Sequence, residues 1–349
     1  MCSLSEQDEV TLLREMLEIY SPSGEEEEIS NYLYARFRGL GFHTYQDSVG
    51  NVVGITGSGD QEVVLLGHMD TVGGFLPVKE AHGSLYGRGA VDAKGPLAAF
   101  VAAAARVAPV INKRVVVIGV VEEETSSRGA RALLSNFAPD YVVIGEPSGW
   151  EHITLGYKGR ILVRYRLSSR VRHSSAEGPS ASERAVEFWN RLRAYADEVN
   201  GGRRWHFDTL DPFLRRLTSS DGDFAEEVVM DITMRTPLEL DVVALKDRMR
   251  SWAGEAAVGF SGEDQAFKAD KNTPLVRAFL KAIRSQGGKP LFKLKLGTSD
   301  MNTVAPVWRC PIIAYGPGDS TLDHTPEEAI ELEAYERGIA ILERALLNL

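Results

Sequence analysis

The sequence predicts an α/β fold with a mainly parallel sheet, interrupted by a smaller α+β domain. Short apolar runs, such as residues 63–66, 115–121 and 141–144, alternate with segments of helical periodicity, as in βαβ units. After Trp150 the strands instead alternate polar and apolar residues, which indicates an antiparallel sheet with one solvated face. We therefore expect one domain formed by residues 1–153 and 270–349, and an inserted domain formed by residues 154–269.

Each element follows from a local pattern. Apolar residues at helical spacing predict helices at residues 8–20, 25–40, 94–108, 130–137, 181–198, 241–252 and 273–285, and from Pro326 onward. Apolar or alternating runs predict strands at 43–46, 51–55, 63–66, 114–121, 141–144, 153–155, 160–167, 228–234, 256–260, 291–295 and 312–314. We interpret Ser23 as the N-cap of the second helix and the four glutamates at 25–28 as its solvated first turn.

Composition excludes several classes of protein. The chain has 349 residues, 44% of them apolar and 25% charged, which is typical of globular domains with a substantial core. No apolar run approaches the roughly 20 residues of a membrane span, and no signal peptide is indicated. A net charge of −10 argues against nucleic acid as the main partner. Two cysteines make a disulfide framework implausible, so we expect a cytoplasmic protein.

Imidazole and carboxylate groups follow several of the predicted strands. The groups lie in the stretches Gly67-His68-Met69-Asp70, Gly87-Arg88-Gly89-Ala90-Val91-Asp92-Ala93-Lys94-Gly95, Val121-Glu122-Glu123-Glu124, Ile144-Gly145-Glu146-Pro147 and Leu322-Asp323-His324-Thr325. Carboxylates beside a buried sheet are costly unless they are paired or bind a metal. Nitrogen and oxygen ligands without cysteine suit zinc, cobalt or manganese.

A count of charges favours two metal ions. Three carboxylates and one hydroxide balance two divalent cations, so one carboxylate must bridge the ions and a fourth can act as general base. Such a site lowers the pKa of bound water to about 7.

These five motifs, in this order, resemble the co-catalytic zinc metallopeptidase family of aminoacylases, carboxypeptidase G, succinyl-diaminopimelate desuccinylase and acetylornithine deacetylase. The resemblance spans nearly the whole chain. It implies two Zn²⁺ ions per subunit, with Co²⁺ or Mn²⁺ as alternatives. The implied ligands are His68, Asp92 and Glu146 for one ion and Asp92, Glu124 and His324 for the other, with Asp92 bridging.

The resemblance also implies roles for two residues beside the ligands. Glu123 would be the general base, and Asp70 would orient His68. The family's usual Asp-Glu-Glu is Glu-Glu-Glu here. The identification of Glu123 as the base therefore depends on Gly129, which is placed as the family's glycine is. A slip of one residue would move the role of base to Glu122.

The inserted domain would, by the same resemblance, be a ferredoxin-like lid that forms a homodimer. His173 would reach across the dimer and stabilise the oxyanion; the alternative is a solvated loop histidine. Arg235, Thr298 and Ser299 match segments that bind the substrate carboxylate, although a structural ion pair explains Arg235 equally well.

Within the family, the segments 297–302 and 314–328 resemble the hydrolases of carrier-protein lysine biosynthesis. Those enzymes release lysine or ornithine from the C-terminal glutamate of the small acidic carrier protein LysW, in lysine and arginine biosynthesis. The alternatives are an N-acetylornithine or N-acetyl-lysine deacetylase, a related acylamino-acid hydrolase or dipeptidase, or a catalytically silent dimeric binding protein.

One basic strip has two interpretations. Arg160, Arg164 and Arg166 share one face of the predicted strand 160–167, and Arg170 and Arg172 follow. The strip is either a solvated sheet face with surface ion pairs or a docking site for an acidic carrier protein.

Overall fold

The structure, a computed structural model, describes residues 5–171, 173, 175 and 177–349. Arg172 of the basic strip and Ser174 of the His173 motif lie outside the described residues. The chain forms two compact units. The α/β unit comprises the chain up to Gly156 with Lys268–Leu294 and Ser299–Leu349, and the inserted unit comprises Tyr157–Phe267 and Lys295–Thr298.

The helices and strands are numbered in chain order. The helices are α1 (Glu6–Glu18), α2 (Glu27–Gly39), α3 (Lys94–Val107), α4 (Arg128–Leu133), α5 (Ala181–Asn200), α6 (Val242–Ala253), α7 (Pro274–Ser285), α8 (Asp300–Trp308) and α9 (Leu332–Asn348). The strands are β1 (His43–Gln46), β2 (Val52–Thr56), β3 (Glu62–His68), β4 (Lys79–Ala81), β5 (Ser84–Tyr86), β6 (Arg114–Val120), β7 (Tyr141–Gly145), β8 (His152–Tyr157), β9 (Gly159–Arg170), β10 (Asp211–Asp221), β11 (Ala225–Thr236), β12 (Ala257–Asp264), β13 (Phe267–Lys268), β14 (Leu291–Lys295), β15 (Ile312–Ala314) and β16 (Ala329–Glu331).

The main sheet confirms the predicted fold class. Its strand order is β1-β2-β6-β3-β7-β15-β8-β13, with β14 beside β8. The four central strands β6, β3, β7 and β15 are parallel, and β2 and β8 join them antiparallel. The carboxyl ends of β6, β3 and β7 therefore lie at one edge, where an open α/β sheet binds its ligands.

Helix α3 packs beside these central strands and explains the alanine-rich stretch. Every residue of α3 except Arg106 is buried, and the helix contacts β3, β6 and β7 as well as α1 and α9. Small alanine side chains let a helix approach its neighbours closely on all sides. The start of α3 is thereby fixed near the carboxyl end of β3, just after Asp92 in the chain.

The inserted unit is a four-stranded antiparallel sheet in the order β10-β11-β9-β12, with connectivity β-α-β-β-α-β. Alternate residues of β9 are buried and pack with residues of α5 and α6 in one core. The polar residues between them face away from this core, as the alternating pattern predicts. Strand β10 was not predicted, because most of its residues are exposed and do not alternate.

Three local predictions were wrong. Ser23 does not cap α2, whose N-cap is Glu26. Glu26 is also buried rather than solvated, and its Oε1 accepts hydrogen bonds from the backbone N–H groups of Gly24 and Glu122. The last helix begins at Leu332 and not at Pro326, because residues 329–331 form β16 against β5. Among the described residues, no helix is long and apolar enough to cross a membrane.

Candidate metal centre

Three neighbouring strands bring four of the predicted residues to one edge of the sheet. His68 ends β3, Glu123 and Glu124 follow β6, and Glu146 follows β7. In the parallel register His68 is opposite Val120 of β6, and Gly67 is opposite Gly145 of β7. The side chains that come after these positions therefore meet above the same sheet edge.

Two loops complete this group. The Asp92 loop (residues 87–93) joins β5 to α3, and the His324 loop (residues 315–328) joins β15 to β16. Asp92 Oδ1 lies 3.2 Å from Nε2 of His68, and Asp92 Oδ2 lies 3.0 Å from Nε2 of His324. The carboxylate of Asp92 thus lies between two imidazoles, with one oxygen directed at each.

We call these six residues the strand-end cluster: His68, Asp92, Glu123, Glu124, Glu146 and His324. Ligand atoms of His68, Glu123 and Glu146 lie within 4.8 Å of one another, as do those of His68, Asp92 and Glu124. Nε2 of His324 is 3.0 Å from Oε1 of Glu124. The structure therefore brings together every residue that the sequence predicted as a ligand or base. Distance alone would also allow Glu123 to be a metal ligand together with His68 and Glu146.

Glu122 does not belong to this cluster. The backbone of Glu122 is left-handed (φ +56°), and its carboxylate accepts hydrogen bonds from Ser126 Oγ and Arg128 Nε instead. Gly129 fixes this turn, because a Cβ there would lie 2.4 Å from Asn51 Oδ1 and 2.6 Å from the backbone nitrogen of Val121. The side chains of Glu123 and Glu124 are thereby the ones that enter the cluster.

Asp70 holds the chain beside the cluster. Its carboxylate accepts hydrogen bonds from the backbone N–H groups of Glu123 (3.0 Å) and Glu124 (3.1 Å) and from Ser23 Oγ (2.6 Å). Nδ1 of His68 lies 2.9 Å from the backbone oxygen of Asp70 and 3.4 Å from its carboxylate. Asp70 therefore orients His68 mainly through its carbonyl, while its carboxylate positions the two glutamates after β6. The hydroxyl of Ser23, which was expected to cap α2, donates to this carboxylate instead.

The pKa values in the cluster indicate a shortage of positive charge. Hydrogen bonds with Asp92 and Glu124 raise the pKa of His324 to about 10. Burial lowers the pKa of His68, but its contacts with Asp70 and Asp92 outweigh this and hold the pKa well above its usual value. Burial and neighbouring carboxylates raise the pKa of Glu123 well above normal, and burial raises that of Glu124.

This donor set fits divalent metal ions. Imidazoles and carboxylates must lose their protons before they bind a metal, so metal binding at these groups would release protons. The available donors are imidazole nitrogens and carboxylate oxygens, which zinc, cobalt and manganese accept. Four carboxylates in one cluster leave the negative charge that two divalent ions would balance.

Three predicted residues outside the cluster have identifiable contacts. In the inserted unit, Arg235 Nη1 donates a hydrogen bond to Thr298 Oγ1 (3.3 Å), and burial lowers the pKa of Arg235. In the α/β unit, Ser299 is the N-cap of α8, and its hydroxyl accepts from the backbone N–H of Met301. The hydroxyl of Ser299 therefore has a structural partner within its own helix.

His173 lies exposed in the loop after β9. Its Nδ1 accepts a hydrogen bond from the backbone N–H of Ser175 (3.3 Å) and lies 2.7 Å from Ser175 Oγ. In the neutral ring the proton is then on Nε2, so this nitrogen can act as a donor.

Sequence reasoning missed two carboxylates beside the cluster. Asp300 is 1% exposed and close enough to Glu123 to raise its pKa. Glu328 is also 1% exposed and contacts the Asp92 loop. In the sequence, Asp300 resembles an ordinary acidic first helical turn and Glu328 one of two adjacent glutamates. Only the long-range contacts distinguish them.

Comparison with known proteins agrees with this chemistry. The sequence model of peptidase family M20/M25/M40 matches residues 64–348. The chain is 43% identical to a [LysW]-lysine hydrolase from Deinococcus radiodurans, over 97% of this chain and 96% of the relative. It is 36% identical to a putative [LysW]-lysine/[LysW]-ornithine hydrolase from Pyrococcus furiosus, over 99% of this chain and 98% of the relative.

Solved structures share the fold at low identity. An aminopeptidase from Bacillus cereus superimposes with a TM-score of 0.82 at 19% identity, covering 99% of both chains. A Bacillus subtilis protein described as a dinuclear metal binding peptidase from the M20 family superimposes with a TM-score of 0.71 at 14% identity, over 98% of both chains. Together with the strand-end cluster, the family model and the curated relatives establish that the chain belongs to peptidase family M20/M25/M40 and is a metal-dependent hydrolase of amide bonds.

Proposed function

We propose that this protein hydrolyses the amide bond between lysine, or ornithine, and the C-terminal glutamate of the amino-group carrier protein LysW. The single observation that carries this proposal is the 43% identity to a [LysW]-lysine hydrolase over 97% of the chain. Water is consumed, and the carrier's glutamate carboxylate and the free amino acid are released. The reaction would belong to lysine biosynthesis, and to arginine biosynthesis where ornithine is the product.

We propose two zinc ions as the native metals, with cobalt or manganese as functional substitutes. His68, Asp92 and Glu146 would hold one ion, and Asp92, Glu124 and His324 the other. The position of Asp92 between the two imidazoles supports its role as the bridging ligand. The absence of cysteine from the cluster favours an exchangeable catalytic site over a structural zinc site.

The residues of the cluster suit hydrolysis of an amide. Metal ions held there would polarise the scissile carbonyl and make water acidic enough to lose a proton near neutral pH. The carboxylate of Glu123 would take this proton and deliver it to the leaving amino group of lysine. Its position beside the proposed ligands, within reach of both His68 and Glu146, suits a group that must accept and return a proton there.

Arg235 would bind the carboxylate of the substrate. Its guanidinium is partly buried, and among the described residues it donates to the Thr298 hydroxyl but forms no ion pair within 4.0 Å. A buried cation without a carboxylate partner is costly, and a substrate carboxylate would supply the missing charge. Thr298 would hold the guanidinium of Arg235 in place through their hydrogen bond. Ser299, which caps α8, would contribute to substrate binding by placing the start of that helix.

We further propose that the protein is a cytoplasmic homodimer in which His173 serves the partner's active site. The Nε2–H group of its neutral ring would donate a hydrogen bond to the developing oxyanion. Mixing Glu123→Gln and His173→Ala protomers, each inactive alone, should restore part of the activity, since one site of a mixed dimer keeps both residues. No recovery after verified subunit exchange would contradict this arrangement.

One comparison of substrates tests the proposed function. The metal-loaded enzyme is supplied with the LysW–lysine conjugate, Nα-acetyl-lysine or Nα-acetylornithine, and the free amino acid is quantified. We expect the carrier conjugate to have the highest kcat/KM, and the Glu123→Gln variant to reveal any contaminating activity. Preferential hydrolysis of an acetylated substrate would overturn the carrier assignment and favour a deacetylase.

A further inference from the structure

Glu328 is a buried carboxylate directly opposite the segment that leads to Asp92. It immediately precedes β16, whose residue Ala329 pairs with Tyr86 of β5. The backbone pairing continues one step further, because the N–H of Gly87 donates to the carbonyl of Glu328 (3.3 Å). This register places the side chain of Glu328 against the Asp92 loop, and its side chain is 0% exposed.

The carboxylate of Glu328 organises the backbone of that loop. Its Oε1 accepts hydrogen bonds from three backbone N–H groups, those of Gly89 (3.0 Å), Val91 (3.0 Å) and Asp92 (3.1 Å). The loop can wrap around one oxygen in this way because Gly89 adopts φ +89°, where a Cβ would lie 2.9 Å from Thr71. The last of the three donors is the backbone of Asp92 itself, so the carboxylate fixes the direction in which Asp92 leaves the chain.

Arg88 connects the same carboxylate to the loop that carries His324. Its Nη1 donates to Glu328 Oε2 (2.7 Å) and to the carbonyl of Thr325 (3.2 Å), the residue after His324. Its Nε donates to the carbonyl of Gly74 (3.0 Å). The Arg88–Glu328 pair therefore joins the Asp92 loop to the His324 loop. These loops carry Asp92 and His324, which contact each other through Asp92 Oδ2.

A buried ion pair elsewhere in the α/β unit has a different pattern. Glu9 is 0% exposed and accepts from Nε and Nη2 of Arg106, which also reaches Glu343. Both oxygens of Glu9 thus pair with one guanidinium, between helices α1 and α3. Glu328 instead accepts hydrogen bonds through one oxygen from the backbone beside a proposed metal ligand. A purely structural ion pair does not require this second set of contacts.

We propose that Glu328 is a positioning residue that holds Asp92 between His68 and His324 and thereby sets the affinity for the metal ion shared by Asp92 and His324. This inference rests on the proposed two-metal function. Carboxylates behind metal ligands commonly act in this way, and their loss lowers metal affinity or activity by about 10- to 100-fold.

The test compares three substitutions of the same type. Glu328→Gln keeps the size of the side chain but places an NH₂ group either against the loop amides or against Arg88. Glu327→Gln is the matched control, because Glu327 is the exposed neighbour. Glu9→Gln controls for destabilisation alone, because it weakens a buried ion pair outside the cluster. Metal-free proteins are titrated with Zn²⁺ against a chelator and with Co²⁺ by visible absorption, and thermal unfolding is recorded for each.

We expect wild type, Glu327→Gln and Glu9→Gln to bind two ions with similar affinities. Glu328→Gln should bind the ion shared by Asp92 and His324 about 10- to 100-fold more weakly, with a smaller loss at the ion shared by Asp92 and His68, and it should show an altered Co²⁺ spectrum. Its kcat should fall and recover with excess metal, while its KM changes little.

Equal metal affinity in Glu328→Gln and wild type would overturn the inference, as would an equal loss of affinity in Glu9→Gln. If Glu328→Gln does not fold, Arg88→Lys replaces it. That change keeps the charge beside Glu328 but loses the contacts to Thr325 and Gly74, and it should weaken the same metal ion. A wild-type protein that binds fewer than two ions would contradict the proposed function itself, which separates the two failures.

Discussion

Two aspartates, one from each unit, occupy different places. Asp70 of the α/β unit follows a strand end and is enclosed: it has no exposed side-chain surface and accepts hydrogen bonds from the backbone N–H groups of Glu123 and Glu124. Asp231 of the inserted unit lies on a strand face: it keeps 23% of its side-chain surface exposed and pairs with Arg164 and Arg216. Both are ionised aspartates with good partners, but only the first is held by backbone.

This difference shows which charged residues require a functional explanation. A buried carboxylate loses hydration that must be replaced by partners, so its presence implies a specific task. A pair on a sheet face remains hydrated and contributes only about 0–1 kcal/mol to folding. In the basic strip, Arg164 belongs to the second class, since its pair with Asp231 is partly exposed, whereas Arg160 forms a mostly buried pair with Asp264. These pairs favour the solvated-face interpretation of the strip over a docking site.

The largest effect is expected at Glu123. Glu123→Gln should retain metal but lose about 100- to 10,000-fold in kcat, as expected for removal of a general base. Glu122→Gln is the matched control and should remain active, because Glu122 contacts Ser126 and Arg128 outside the cluster. Steady-state kinetics and elemental analysis decide the matter. The reverse result, an active Glu123→Gln and an inactive Glu122→Gln, would mean that the register of the motif is wrong.

A smaller effect is expected at Asp70. Asp70→Asn replaces one of two accepting oxygens with a donor, so one of the backbone N–H groups of Glu123 and Glu124 loses its partner. We expect activity or metal affinity to fall by about 10- to 100-fold. Metal titration together with kcat measures this. Unchanged values would show that the backbone after β6 is held without the carboxylate.

Glu9 tests whether burial alone implies catalysis. Glu9→Gln should lower the free energy of unfolding by up to about 3 kcal/mol, at the low end for a broken buried pair because Arg106 is 23% exposed. Specific activity at moderate temperature should be unchanged. Urea denaturation and kinetics provide the measurements. A loss of activity in the folded variant would mean that buried charges outside the cluster also serve the reaction.

The smallest effect is expected on the face of the inserted sheet. Hydrogen bonds from Arg164 and Arg216 lower the pKa of Asp231, so its contribution to stability is present above pH 3.8 and is lost as the pH falls through the lowered value. Asp231→Asn should therefore cost less than about 1 kcal/mol near neutral pH and should lose less stability on acidification than wild type. Denaturation at several pH values checks both. A larger cost would make this face more than a solvated surface.

Sequence patterns identified the strand-end cluster because its members follow short buried strands, whose carboxyl ends must meet in a parallel sheet. They did not identify Glu328, because its burial depends on contacts with residues more than 230 positions away in the chain. Strand β10 was missed for a related reason, as an exposed edge strand lacks the alternation that a buried face imposes. The hydroxyl of Ser23 was assigned to a helix cap because its partner, Asp70, is also distant in sequence.

The metal content of Asp92→Ala tests the central claim most directly, because Asp92 is the carboxylate that both imidazoles contact. Wild type, Asp92→Ala and His324→Ala are purified in the same buffer and analysed for metal per chain. If Asp92 bridges two ions, its loss should lower occupancy more than the loss of His324, which would affect only one ion. Equal occupancy in the two variants would contradict a shared ligand at the ends of these strands.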